Sequence, residues 1–137
     1  MDPAVKRCIL IVDDEKSNLN VLGHTLRREY TVYMAKTGKT GLEIADEFLP
    51  DLILLDIVMP DMDGYEVLSI LKSSDRLKNI PVVFVTGLTS KENIENGMSL
   101  GAAGYIFKPF KASEILEKVS GLVAGHGGLS FSAVNGK

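Results

Sequence analysis

The chain predicts a doubly wound α/β domain, and two observations carry that reading. Four short apolar runs recur along it, each ending in a polar group, and between them lie longer stretches whose apolar residues return at helical spacing. The runs are Cys8-Ile9-Leu10-Ile11-Val12, ending in Asp13-Asp14; Leu52-Ile53-Leu54-Leu55, ending in Asp56; Ile80-Pro81-Val82-Val83-Phe84-Val85, ending in Thr86-Gly87; and Gly104-Tyr105-Ile106-Phe107, ending in Lys108-Pro109. Unbroken apolar runs suit strands buried on both faces, and strands alternating with helices imply a parallel sheet covered on both sides. The last residue of such a strand emerges at the carboxyl edge of the sheet, where open α/β folds place their ligand sites.

Each element has its own signal. After the first strand, Ser17 caps a helix to about Arg28, with Leu19, Leu22 and Leu26 as its apolar stripe. Residues 30–34 form a short strand, and Leu42, Ile44, Ala45, Phe48 and Leu49 fall on a helix that Pro50 stops. The strand before Asp56 follows. Asp63 then caps a helix in which Val67, Leu68 and Leu71 face inward. After the strand containing Pro81, Ser90 caps a helix through about Leu100, and Gly101-Ala102-Ala103-Gly104 turns into the last strand. A closing helix runs from Ser113 to about Val123, with Ile115, Leu116 and Val119 as its face. Five strands and five helices favour the flavodoxin-like order 2-1-3-4-5, which sets the first and third strands side by side and makes Asp13, Asp14 and Asp56 neighbours.

The 137 residues suffice for one domain with its own core. That domain is expected over residues 6–123. The glycine-rich residues 124–137 read as a flexible tail, a linker or a frayed end. A net charge of −3 gives no support for nucleic-acid binding. No apolar run approaches the roughly 20 residues that cross a bilayer, and the first residues lack the layout of a signal peptide, so a cytoplasmic location is the default expectation. The single cysteine, Cys8, sits in a strand pattern and reads as a small core residue, since it has no partner for a disulfide. His24 and His126 lie far apart without the partners a zinc site needs, and His24 reads as a helix-surface residue.

If the strand ends converge, their chemistry is specific. Three carboxylates in one pocket repel, and a hard divalent cation relieves them; magnesium takes one or two carboxylates, waters and a phosphate oxygen. Beside such an ion Asp56 can act as an oxygen nucleophile toward a phosphoryl group, giving an aspartyl phosphate. Lys108 would stabilise charge on the transferring oxygens, Thr86 would donate a hydrogen bond to one of them, and Gly87 leaves room for the donor. The plain alternative is that the three aspartates merely cap helices or turns.

With these residues in order the chain resembles the receiver domains of two-component response regulators. The matching segments are Asp13-Asp14, Asp56-Ile57-Val58-Met59-Pro60-Asp61-Met62-Asp63-Gly64, Thr86-Gly87 and Tyr105-Ile106-Phe107-Lys108-Pro109-Phe110, spread over nearly the whole chain. The resemblance implies that Asp56 is the phosphoacceptor, Asp14 a direct magnesium ligand, Asp13 a ligand through water, and the Val58 backbone carbonyl the remaining protein ligand. Thr86 becomes the switch hydroxyl, Lys108 the phosphate-binding lysine and Lys108-Pro109 a candidate cis peptide. Tyr105 resembles the switch aromatic, against the alternative of an ordinary strand tyrosine at the sheet edge. The phosphoryl donor would be a histidine kinase or a phosphotransfer protein. The output surface, read by an output domain or an effector, would be the helix from Ser90 to Leu100 with the last strand and last helix. Gly97 and Gly101 there either ease a shift or simply allow packing. Whether activation drives dimerisation stays open. In the family, side chains two residues after the acceptor and two after the threonine influence attack by water; here Val58 and Leu88 are apolar, and slow self-dephosphorylation is expected.

Four other readings compete. A calcium loop around Asp61-Met62-Asp63-Gly64 fails, because Met59 and Ile70 fall where Asp and Glu are required. A phosphohydrolase of the haloacid dehalogenase type would need a second acid where Val58 stands. A nucleotide-binding module would want a glycine-rich loop in place of Asp13-Asp14-Glu15-Lys16. A receiver that only docks, without phosphorylation, is the remaining alternative. The chain is thus expected to catalyse its own modification and to turn over no free substrate.

Overall fold

The computed structural model describes residues 6–127, with side chains described as far as 123. Its elements follow one another as β1 (Cys8–Val12), α1 (Lys16–Leu26), β2 (Thr31–Ala35), α2 (Gly38–Phe48), β3 (Leu52–Leu55), α3 (Gly64–Lys72), β4 (Val82–Thr86), α4 (Lys91–Ser99), β5 (Gly104–Phe107) and α5 (Ala112–Gly127). All strand pairs are parallel, in the order β2-β1-β3-β4-β5. The expected topology is the one observed.

The central strands are apolar because both of their faces are covered. Every residue of β3 and β4 is buried. Alternate side chains feed two cores. Leu10, Val12, Ile53, Leu55 and Phe84 pack with Val67, Leu68 and Leu71 of α3 on one face. Ile9, Ile11, Leu52, Leu54, Val83 and Val85 pack with α1 and α5 on the other. Burial of these side chains is the main drive for the fold.

Several boundaries differ from expectation, each for a local reason. α1 begins at Lys16 with Glu15 at the cap, not at Ser17: the Glu15 carbonyl already accepts from the Leu19 N–H at 3.1 Å, and no side chain caps the helix. It ends at Leu26, where the Tyr30 N–H takes the Leu26 carbonyl at 2.9 Å and delays β2 to Thr31. Phe48 and Leu49 do not join the buried face of α2; both are exposed, and Leu49 leaves the helix in a left-handed conformation with φ of 49°. Phe48 instead stacks on Tyr33, with ring centroids 4.3 Å apart. α5 starts at Ala112 and continues to Gly127, past Val123, so glycines at 121 and 125 are absorbed by the helix at a cost of about 1 kcal/mol each. The remainder of the expected tail, residues 128–137, lies outside the described residues.

The caps expected at Asp63 and Ser90 are present. Asp63 forms a full capping box with Glu66, and the Ser90 hydroxyl accepts from the Asn93 N–H. Gly64 is required by space and Gly101 by its backbone conformation. At Gly64 a Cβ would lie 2.5 Å from the Asp56 carbonyl oxygen, so only glycine lets α3 start this close to the end of β3. Gly101 has φ of 105° and turns the chain out of α4.

Candidate functional site

The sheet ladder continues one residue beyond its strands and thereby fixes the site backbone. The Asp13 N–H donates to the Ala35 carbonyl at 3.0 Å, the Asp56 N–H to Val12 at 2.9 Å, and the Lys108 N–H to Thr86 at 2.9 Å. The backbones of both carboxylates and the lysine are therefore set before any side chain interacts. The Lys108–Pro109 peptide is cis.

The strand-end side chains converge. Asp13, Asp14 and Asp56 each present a carboxylate oxygen within 4.8 Å of the others. Asp13 is 1% exposed and Asp56 6%, whereas Asp14 faces solvent. The Lys108 ammonium lies 3.2 Å from Asp13 Oδ2 and 3.1 Å from Asp56 Oδ2. The other oxygen of Asp56 accepts from the Ile57 N–H at 2.7 Å. Burial, followed by the charge of Asp13, raises the Asp56 carboxyl above its ordinary value, although Lys108 and the Ile57 N–H oppose the shift. Burial alone would lower the Lys108 pKa, but Asp56 and Asp13 outweigh it and hold the ammonium above its usual value.

Asp14, Asp56 and Lys108 line an open cleft of about 310 Å³, shared with Val58, Thr86, Gly87 and Leu88. Thr86 is fully buried, and its Oγ1 accepts from the Leu88 N–H at 3.1 Å. Gly87 faces open space: a Cβ there would meet nothing within 4 Å. Val58 stands at the rim, 62% exposed.

Three clustered carboxylates beside one ammonium leave an excess of negative charge, which suits a divalent cation, and hard oxygen donors suit magnesium. The residues present therefore fit such an ion.

The strand-end pattern does not single out Glu15, yet its Oε1 lies 3.8 Å from Lys108 Nζ and the residue lines the cleft. The signal available was its place two residues after Asp13, whose Oδ1 accepts the Glu15 N–H. Other residues fall outside the site. His24 lines a separate cleft of about 460 Å³ between α1 and α5 that holds none of the strand-end groups. Cys8 is half-buried rather than fully enclosed, and burial together with Asp51 pushes its thiol up to about 11, so it is not a reactive thiolate at neutral pH. No helix among the described residues is long and apolar enough to cross a membrane.

Tyr105, on the edge strand, points inward and is 8% exposed. Its ring lies against Phe84 and stacks on Phe107, with centroids 5.5 and 5.7 Å away.

Comparison with known proteins agrees with this geometry. The response regulator receiver domain model matches residues 9–120. A probable cyclic di-GMP phosphodiesterase of Vibrio cholerae is 45% identical over 101 residues, covering 74% of this chain and 23% of that protein. The response regulator PleD of Caulobacter vibrioides is 38% identical over 115 residues, covering 83% of this chain and 25% of that protein. The chain thus spans about a quarter of the length of these relatives. Among solved structures, the Vibrio cholerae chemotaxis protein CheY4 superposes with a TM-score of 0.83 at 30% identity, covering 86% of this chain and 99% of that one. The chain belongs to the family of response regulator receiver domains.

Proposed function

We propose that the protein is a phosphorylation-controlled signalling switch in which Asp56 accepts the phosphoryl group. The observation that carries the assignment is the Asp56 carboxylate, nearly buried, 3.1 Å from Lys108 and within 4.8 Å of two further carboxylates. An Asp56 oxygen attacks phosphorus, the new O–P bond forms as the P–N bond of a phosphohistidine breaks, and the imidazole leaves with its electron pair and is reprotonated. The donor is a histidine kinase or a phosphotransfer protein.

Asp14, Asp56 and the Val58 carbonyl would hold magnesium, with Asp13 reaching it through water. The bound ion supplies charge neutralisation among the carboxylates and on the phosphoryl oxygens. Lys108 already contacts the attacking carboxylate and needs only a small movement to pair with a phosphoryl oxygen. Thr86 exchanges its bond with the Leu88 N–H for one to the phosphoryl group, which adds a charge of about −1.5 to −2. The change is read on α4, β5 and α5 by an output domain or an effector. The protein catalyses its own phosphorylation and dephosphorylation and turns over no free substrate.

Incubation with acetyl phosphate and magnesium, read by intact mass, tests the acceptor. One phosphoryl group should add to the wild type and none to Asp56→Asn; labelling of both would move the acceptor elsewhere. Val58 and Leu88 flank the cleft with no group able to orient water. The phosphoryl group should therefore be long-lived once the donor is removed, and decay within seconds would refute that reading.

A further inference from the structure

The loop between β3 and α3 carries a carboxylate that stands outside the strand-end cluster. Asp61 is exposed, yet both of its oxygens are engaged. Oδ1 accepts from the Gly38 N–H and Oδ2 from the Lys39 N–H, each at 3.1 Å. Those two residues open α2. The first N–H groups of a helix have no partner within it. Asp61 satisfies two of them from another part of the chain, and the Thr37 hydroxyl takes a third, from Thr40, at 3.1 Å. α2 has no acidic residue of its own in its first turn, so Asp61 also supplies the negative charge that favours a helix N-terminus. Desolvation raises its pKa, but the N–H groups of Gly38 and Lys39 outweigh this and hold the carboxyl below its ordinary value.

The attachment matters because of what else the loop carries. Val58 is exposed, and Pro60 has no N–H to donate. Among the described residues, the two bonds of Asp61 are the only hydrogen bonds from residues 58–62 to another element. Met62 closes the same contact. A Cβ at Gly38 would lie 2.5 Å from Met62 Cγ and 2.8 Å from Val67 Cγ2, so the start of α2 is shaped to receive the loop.

A closed ring results. The Asp13 N–H bonds the Ala35 carbonyl, and the chain runs from Ala35 to Gly38. Gly38 bonds Asp61, the loop runs back through Val58 to Asp56, and the Asp56 N–H bonds Val12, next to Asp13. The residues that would hold magnesium sit on this ring. A carboxylate can adjust to an ion by rotating its side chain, whereas a backbone carbonyl goes where its peptide is held, and magnesium tolerates little departure from octahedral geometry.

We propose that Asp61 is a positioning residue for the magnesium site: by clamping the loop to the start of α2, it holds the Val58 carbonyl in place among the carboxylates. The role rests on the magnesium reading above; the clamp itself does not.

Titration calorimetry of the unphosphorylated full chain with magnesium tests the role. Asp61→Ala should raise the Kd about ten-fold, as removal of a group that orients a metal ligand does. Asp61→Asn loses the same charge but keeps one acceptor oxygen, and should raise it only about three-fold. Thr37→Ala removes a cap from the same helix without touching the loop, and should leave the Kd unchanged. Equal losses in the Ala and Asn variants would mean that a distant charge acts and not a clamp. An equal loss in Thr37→Ala would trace the effect to the stability of α2, and no loss in Asp61→Ala would remove the role altogether; each result overturns the proposal. Amide exchange reads the clamp without the metal: Gly38 and Lys39 should exchange faster in Asp61→Ala, and unchanged rates would show that the bonds do not hold the loop. Wild-type protein that takes up no magnesium would refute the magnesium reading itself, and the positioning role with it.

Discussion

Helices α3 and α4 are nine residues each and cover the same face of the sheet, yet they are attached by different physics. α3 buries Gly64, Val67, Leu68 and Leu71 and begins with a capping box. α4 buries a glycine, packs only the half-buried Ile94 against the core from its apolar side chains, begins with a single serine cap, and is tied inward by two phenols near Asn93. Apolar burial is non-directional and resists small displacements only through packing, so a helix held that way belongs to the cooperative core. Hydrogen bonds are directional and individually weak, so a helix held by them can be released as a unit. A switch needs both kinds of attachment side by side. α3 starts at the loop carrying the site, where the Ile57 carbonyl accepts the Gly64 N–H at 2.7 Å, and under the proposed function it would stay in place while α4 carries the message.

The largest expected effect tests the first half of that contrast. Leu68 is fully buried in the core beneath α3. Leu68→Ala should cost about 3 kcal/mol of global stability, measured by urea unfolding, from lost transfer energy and the cavity left behind. A loss below about 1 kcal/mol would mean that α3 is no more firmly rooted than α4.

The next effect has an unusual sign. At an open helix position, Gly→Ala stabilises by up to about 1 kcal/mol. In α4 the added Cβ needs the space of the Tyr105 hydroxyl, and overpacking of this kind costs about 1–3 kcal/mol. Gly97→Ala should therefore destabilise, by about 1 kcal/mol net, and Tyr105→Phe in the same chain should return part of the loss. Stabilisation by Gly97→Ala alone would show that Tyr105 does not occupy the inward position.

The same contrast explains what could be read from the sequence. The strands and the site were legible because each strand end carries its own chemistry and the ladder extends one residue further, so order along the chain translates directly into position at the sheet edge. The α3 stripe was legible because apolar spacing reports burial. α4 defeats that signal: its tie depends on Tyr65 and Tyr105, which are 40 residues apart and meet only after the sheet forms. In sequence Tyr65 is one more aromatic on an amphipathic helix, and Gly97 is a glycine with two equal explanations. Phe48 and Leu49 fail in the opposite direction, since they keep helical spacing but sit where α2 leaves the sheet, and spacing cannot tell where a helix overhangs its support. Ser17 has the residue type of a cap, but the helix starts two residues earlier, with a backbone bond to the Glu15 carbonyl.

The helix caps give the smallest and most discriminating test, because the two substitutions remove nearly the same chemistry. Asp63→Ala deletes an acceptor for the Glu66 N–H at 2.9 Å and, with it, the reciprocal half of the box; Ser90→Ala deletes an acceptor for the Asn93 N–H at 3.1 Å. A lost cap costs about 1 kcal/mol in general. For α3, whose apolar face is part of the main core, that cost should appear in full as a lower urea midpoint. For α4 it should fall mostly on local opening, because a helix that detaches before global unfolding contributes little to the global transition. Ser90→Ala should therefore speed amide exchange in α4 severalfold while moving the urea midpoint by less than half as much as Asp63→Ala. Equal shifts of the midpoint would place both helices in a single cooperative unit, and the signal from Thr86 would then have to pass through the core as a whole rather than through a helix that lets go.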